Sequence, residues 1–186
     1  MKKYKRRDFI KDSVALASLT IFPLNILPNS KNNMIRTAHI GVGGMGKADL
    51  EYISSHKNVE VVALCDVDND YLMAASKFHP KAKTYKDYRI LLNEMGSKID
   101  AVIVSTPDHT HAPASIMAMK MNKAVYCQKP LTHHVSEARE MQKIAKERNL
   151  VTQMGIQVHS FYDYKLATLL IQSGIIGKVS TVRAWS

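Results

Sequence analysis

The chain has 186 residues, 46% of them hydrophobic, which is enough for one cored domain with an extension. Its net charge is +10, but seven Lys/Arg against two acids in residues 1–33 account for half of that. The remainder is scattered, with no basic run interleaved with aromatic residues, which argues against nucleic acid as a partner.

The first 33 residues read as a targeting segment. Lys5-Arg6-Arg7-Asp8-Phe9-Ile10-Lys11 resembles the twin-arginine export motif. The apolar run Val14–Leu27 behind it is broken by Pro23 and Asn25, and is too short for a comfortable membrane span. The expected location is therefore periplasmic or otherwise exported, with the twin-arginine export machinery as a partner. No clear Ala-x-Ala cleavage site is present, so cleavage is expected near Pro28–Asn33, or the segment stays as a membrane anchor.

From residue 34 strands and helices alternate, which predicts a parallel sheet covered on both faces. Met34–Ile40 is the first strand and Gly44 to about His56 the first helix. Val59–Cys65 is a continuous apolar strand, as burial on both faces requires. Asn69–Phe78 is a helix stopped by Pro80, and Ala82–Tyr85 a short strand. Asp87 caps a helix that runs to Met95 and ends at Gly96. Asp100–Ser105 is the fourth strand, followed by a helix from His109 to Met121. Ala124–Cys127 is the fifth strand, and Ser136 opens a helix to about Arg148. Leu150–Met154 is the sixth strand, Phe161–Ser173 a helix ended by Gly174, and Gly177–Ser186 a further strand. The expected fold class is α/β, a Rossmann doubly wound parallel sheet, followed by the start of a second α+β domain. The expected division is a signal segment over 1–33, a nucleotide-binding domain over 34–158, and a linking helix and strand over 159–186.

The stretch that organises this domain is Gly41-Val42-Gly43-Gly44-Met45-Gly46. Its glycines at 41, 43 and 46 have the G-x-G-x-x-G spacing between a strand and a helix. Gly41 permits the tight turn, Gly43 lets a pyrophosphate approach the backbone, and Gly46 lets the helix pack close to the strand. Gly44 and Met45, within the turn, are counted with the cofactor-binding residues. The helix N-terminus offers free N–H groups to the phosphates. Asp66 ends the second strand, where an acid accepts hydrogen bonds from the adenosine ribose. It would repel a 2′-phosphate, and no Arg occurs in Val67-Asp68-Asn69-Asp70, so the expected cofactor is NAD rather than NADP.

Cys65 and Cys127 would end strands well apart in the sheet, so a disulfide between them is not expected. His109, His111, His133 and His134 have no closed zinc spacing, and no metal is expected.

Three further motifs stand at strand ends: Ser105-Thr106-Pro107-Asp108-His109-Thr110-His111, Val125-Tyr126-Cys127-Gln128-Lys129-Pro130-Leu131 and Gln153-Met154-Gly155-Ile156-Gln157. With the glycine turn and Asp66, residues 35–186 resemble the N-terminal half of the Gfo/Idh/MocA oxidoreductases. The resemblance implies that Lys129 sits beside the nicotinamide and the reacting hydroxyl. Gln128 stands where the family has Glu, which keeps a hydrogen-bonding amide but removes an acid. Thr106, Pro107 and His111 would line the cofactor, with Gln128 and Gln157 beside it. His159 would be a general acid or base. The alternatives for His111 and His159 are a packing role and a structural partner.

The implied activity is NAD-dependent hydride transfer to or from a sugar, cyclitol or sugar derivative. One alternative is an NAD-dependent glycoside hydrolase of the same family. Another is a non-catalytic nucleotide-binding module, should the chain end at Ser186. In this family a second domain supplies most substrate contacts, so this chain alone is expected to bind NAD and to turn over poorly. Its uncovered sheet face would favour a homo-oligomer.

Overall fold

The computed structural model describes residues 34–183; the paired-arginine segment and the targeting reading built on it lie outside these residues. Among the described residues six strands and six α-helices alternate along the chain. They are β1 (Ile35–Ile40), α1 (Met45–Ser54), β2 (Val59–Cys65), α2 (Asn69–Phe78), β3 (Lys83–Tyr85) and α3 (Tyr88–Met95), then β4 (Ala101–Val104), α4 (His111–Lys120), β5 (Ala124–Gln128), α5 (Val135–Glu147), β6 (Thr152–Gly155) and α6 (Tyr162–Gln172). Every strand pair is parallel, in the order β3-β2-β1-β4-β5-β6. This is the doubly wound Rossmann arrangement.

Helices cover both faces, which is why the central strands carry few polar residues. Val42, Leu50, Val61, Leu64, Leu72 and Ala75 form the core under α1 and α2. Leu91, Leu92 and Met95 of α3 pack on the other face with Ala118 and Met119 of α4 and Met141 and Ile144 of α5. Cys65 and Cys127 are buried and free, with β1 and β4 between their strands. Burial pushes their thiols up, to about 12 and about 11, so both behave as small apolar side chains.

Several element ends follow from local chemistry. Asp68 opens α2 by accepting from the Asp70 and Tyr71 N–H groups, at 2.8 and 3.3 Å. Asp87 opens α3 by accepting from the Arg89 N–H at 2.8 Å. Helix α3 ends at Gly96 as expected, with φ −52° rather than a left-handed cap, and the chain continues as a 3₁₀ turn over Gly96–Lys98. A Cβ at Gly96 would meet the end of the flexible Met121 side chain. Two expectations are corrected. Helix α5 starts at Val135 after His134 rather than at Ser136, because the Glu137 carboxylate reaches back to the His134 N–H at 2.9 Å. Residues 178–183 form no strand. A lone extended segment has no ladder to join, and no described strand pairs with this one.

The strand order reverses between β1 and β4. The carboxyl ends of β1, β2 and β4 diverge there and leave a crevice, the usual ligand position in an open α/β sheet.

Candidate cofactor and active site

A cavity of about 880 Å³ occupies that crevice. Its walls include Gly41, Gly43, Gly44, Met45, Asp66, Thr106 and Pro107, seven of the residues that the sequence singles out for cofactor binding. Its volume suits a large ligand.

The glycine turn is built by close backbone approach. Gly41 has φ +84°, and a Cβ there would stand 2.6 Å from the Ser105 carbonyl oxygen. The Gly41 N–H donates to the Cys65 carbonyl at 2.8 Å, which ties the turn to the end of β2. A Cβ at Gly46 would fall on the Gly41 carbonyl oxygen, so α1 can seat only on a glycine. Gly43 lines the cavity and has a further neighbour. The Tyr71 ring of α2 lies against it, so the space beside Gly43 is held by an aromatic ring. The open position is Gly44, with φ +49°, ψ −120° and no atom within 4 Å of a notional Cβ. That backbone is one that only glycine adopts readily.

Asp66 grips the turn from below. One carboxylate oxygen accepts from the Val42 N–H at 2.8 Å, and the other from the Asp68 N–H at 2.9 Å. Each oxygen retains a lone pair, so the acid can still accept from ribose hydroxyls. Lys86, Tyr88 and Arg89 also line the cavity. None is near Asp66 in sequence; the pairing of β2 with β3 brings them there. The Arg89 guanidinium is engaged by Asp87 through several hydrogen bonds, which hold the Asp87 carboxyl down to about 2.

The β4 and β5 loops are joined by His111, which is 2% exposed. Its Nδ1 lies 2.6 Å from the Pro130 carbonyl and its Nε2 2.7 Å from the Thr106 carbonyl. Both ring nitrogens are therefore engaged, and His111 ties the loops after β4 and β5 together. Gln128 likewise faces the interior. It is 4% exposed, and its amide turns inward to Asp49 of α1, at 2.9 and 3.0 Å. Ser105 Oγ donates to the same carboxylate at 2.6 Å. Asp49 was not legible as a site residue from the sequence. Its one signal is a lone acid on the helix face that otherwise buries Gly46 and Leu50.

Lys129 is exposed at the end of β5, before a cis peptide to Pro130. Gln157 donates to the Met45 sulfur at 3.4 Å, which carries the loop after β6 to the glycine turn. His159 lies in the 3₁₀ turn Gln157–Ser160 and stacks on Tyr164, ring centres 5.6 Å apart. No carboxylate among the described residues hydrogen-bonds to it. Buried Thr106 Oγ1 has no hydrogen-bond partner among the described residues, although it lies at the cavity wall.

Residues 35–156 match the family model GFO_IDH_MocA, described as an oxidoreductase family with an NAD-binding Rossmann fold. The chain belongs to this family. A glycosyl hydrolase family 109 protein of Stenotrophomonas maltophilia is 36% identical over 135 residues, covering 67% of this chain and 29% of that protein. Inositol 2-dehydrogenase of Salmonella typhimurium is 29% identical over 147 residues, covering 77% of this chain and 43% of that one. Among solved structures, myo-inositol 2-dehydrogenase of Lactobacillus plantarum superposes with a TM-score of 0.71 at 29% identity, over 78% of this chain and 43% of that one. The chain thus spans less than half the length of these relatives.

As a GFO_IDH_MocA member the chain carries that family's NAD-binding Rossmann fold, and the crevice fits NAD. The turn and the start of α1 present N–H groups for phosphates. Asp66 keeps acceptor capacity for ribose, and the orphaned Thr106 hydroxyl supplies an unused polar group at the wall.

Proposed function

We propose that this chain is the cofactor-binding half of an enzyme that moves hydride between NAD and a carbinol carbon of a sugar, cyclitol or sugar derivative. The observation that carries this reading is the position of Lys129. It leaves β5 on a backbone pinned by Gln128 and, through the Pro130 carbonyl, by His111, which also holds the Thr106 rim of the NAD crevice. A lysine in that place can orient a substrate hydroxyl and stabilise oxygen charge. NAD, when bound, supplies the hydride acceptor. The hydroxyl proton then passes to a base, and His159 is our candidate for it.

Two inositol dehydrogenases among the relatives support a cyclitol as the first substrate to try. In the full-length enzyme, Lys129→Ala is expected to lower kcat with myo-inositol about 10²–10⁴-fold while NADH affinity stays within about threefold. Stopped-flow NADH formation and NADH fluorescence titration measure the two. An unchanged kcat would remove Lys129 from the reaction.

A second reading rests on the glycosyl hydrolase family 109 relative: glycoside cleavage with NAD reduced and regenerated in each cycle. Release of sugar from a glycoside without net NADH selects it. We also propose export, supported by the paired arginines and the apolar run behind them. Residues 1–33 fused to a folded reporter should carry it across the inner membrane, and replacing Arg6 and Arg7 by Lys should leave it in the cytoplasm. Export that survives the replacement would sink this proposal.

A further inference from the structure

Asp49 presents a problem of physical chemistry. It lies one turn into α1, on the face that packs against the sheet, and is 6% exposed. A buried carboxyl is costly unless fully hydrogen-bonded, and Gly46 and Leu50 on the same face show that apolar residues serve the packing. Two strand ends nevertheless meet at it, and a third walls the second. Ser105 follows β4 and gives its only hydroxyl proton to Asp49 Oδ2 at 2.6 Å. Gln128 ends β5 and gives its Nε2 to both carboxylate oxygens. Gly155 ends β6 and walls the amide, since a Cβ there would stand 2.9 Å from Gln128 Oε1 and 2.7 Å from the Tyr126 hydroxyl.

The bond directions follow from the atoms. A carboxylate only accepts, so Gln128 must point Nε2 at Asp49 and leave Oε1 free. That Oε1 takes the Lys129 backbone N–H at 3.3 Å. Ser105, with its proton spent on Asp49, offers only lone pairs to the crevice that it lines. One inward acid thus sets the hydrogen-bond polarity of a cofactor-crevice residue and of the residue that precedes Lys129.

We propose that Asp49 is a positioning residue, matched to Gln128 as acceptor to donor, that fixes the backbone at Lys129 and the acceptor character of Ser105. The part concerning Lys129 rests on the reading above; the pairing does not. It also accounts for Gln where the family motif carries Glu. A second acid at position 128 would set two carboxyls about 3 Å apart in a buried site, and only one could be ionised.

Three variants of the full 186-residue chain test this with NADH as probe. Gln128→Glu is expected to bind NADH at least about tenfold more weakly and to acquire a pH dependence absent from the parent, with affinity falling as the shared proton leaves. The titratable and charged groups around the pair are Lys129, Tyr126, Cys127 and, on α1, the outward Lys47 and Glu51, all retained in every variant. Asp49→Asn keeps the volume but lets the Gln128 amide turn over. The Lys129 amide resonance in ¹⁵N-labelled protein should then shift or double. The third variant combines the two changes. Its new amide at position 49 can accept from Ser105 through the oxygen and donate through the nitrogen to the new carboxylate at position 128. That carboxylate still accepts from the Lys129 N–H. The Ser105 and Lys129 bonds are kept, and one of the two bonds between positions 49 and 128 is restored with its direction reversed. NADH affinity should recover to within about threefold of the parent, and the new pH dependence should vanish.

If folded Asp49→Asn leaves the Lys129 resonance and NADH affinity unmoved, or the folded double variant fails to rescue, the proposal is overturned. Lys129→Ala separates the two readings. Loss of its kinetic effect would refute the role given to Lys129 and leave the Asp49–Gln128 exchange standing or falling on its own data.

Discussion

Gly46→Ala is expected to weaken NADH binding about 100-fold and to lower the melting temperature. On helix propensity alone the change should help, by about 1 kcal/mol. Geometry opposes it. A Cβ at 46 would fall on the Gly41 carbonyl oxygen and within 3.2 Å of Ser105 Cβ. The first obstacle is backbone in a turn already fixed by Asp66 and by the Cys65 carbonyl, so it cannot give way. The first turn of α1 must move instead. Overpacking of this kind costs about 1–3 kcal/mol. A displaced helix start also loses N–H contacts to phosphate, each worth about 1.5–3 kcal/mol when the acceptor is charged. The steric term exceeds the propensity term, and binding suffers more than stability. Lys47→Ala, exposed on the same helix, serves as the control and should change stability by less than about 0.5 kcal/mol. NADH titration with calorimetric melting checks both. Tight binding by a folded Gly46→Ala protein would show that the close approach at this turn is dispensable.

Acid should unfold the chain through His39 before its carboxylates titrate. His39 lies in the central strand β1, is fully buried and has no partner at Nδ1 among the described residues. Its Nε2 meets only the Thr37 hydroxyl at 3.2 Å. Burial, with a smaller repulsion from His79, lowers its pKa to about 3. Above pH 6.5 the ring is neutral in both states and contributes no pH dependence. Below that the unfolded chain takes up a proton that the folded chain refuses, so stability falls progressively from about pH 6.5 towards 3. A displacement of this size is worth about 4–5 kcal/mol, a large share of the roughly 5–15 kcal/mol that holds a typical domain together. His79, also lowered by burial, adds in the same direction. Asp100, lowered by its hydrogen bonds to Arg36, acts at a lower pH, because its contribution is lost only as pH falls through the ordinary carboxylate range. The two windows are therefore separable. His39→Leu should resemble the parent near about pH 8 and melt well above it near about pH 4.5. Melting curves across that range are the measurement, and parallel pH profiles for the two proteins would contradict this account of His39.

Most of the fold was legible in the sequence because its signals are local. Val59–Cys65 reads as a buried strand from seven residues. Asp87 announces a helix start two residues before the backbone N–H that it binds. The glycine turn was legible because a close approach excludes every side chain but hydrogen, and Asp66 because its distance from the turn is set by one helix and one strand. The motifs at the ends of β4, β5 and β6 were legible as a group for the same reason, since parallel strands bring their carboxyl ends to one edge.

What a side chain does at that edge emerged only from the assembled sheet. His111 and Gln128 occupy cofactor-loop positions in sequence, yet each is turned inward and its polar atoms are consumed by groups from other elements. Tyr71 closes over Gly43, and Lys86 and Arg89 reach the crevice because β3 pairs with β2. Asp49 lies 79 residues from the amide it orients. Local sequence dictates where the backbone goes. Which way a polar side chain faces depends on the donors and acceptors that the folded sheet sets beside it, and those come from anywhere in the chain.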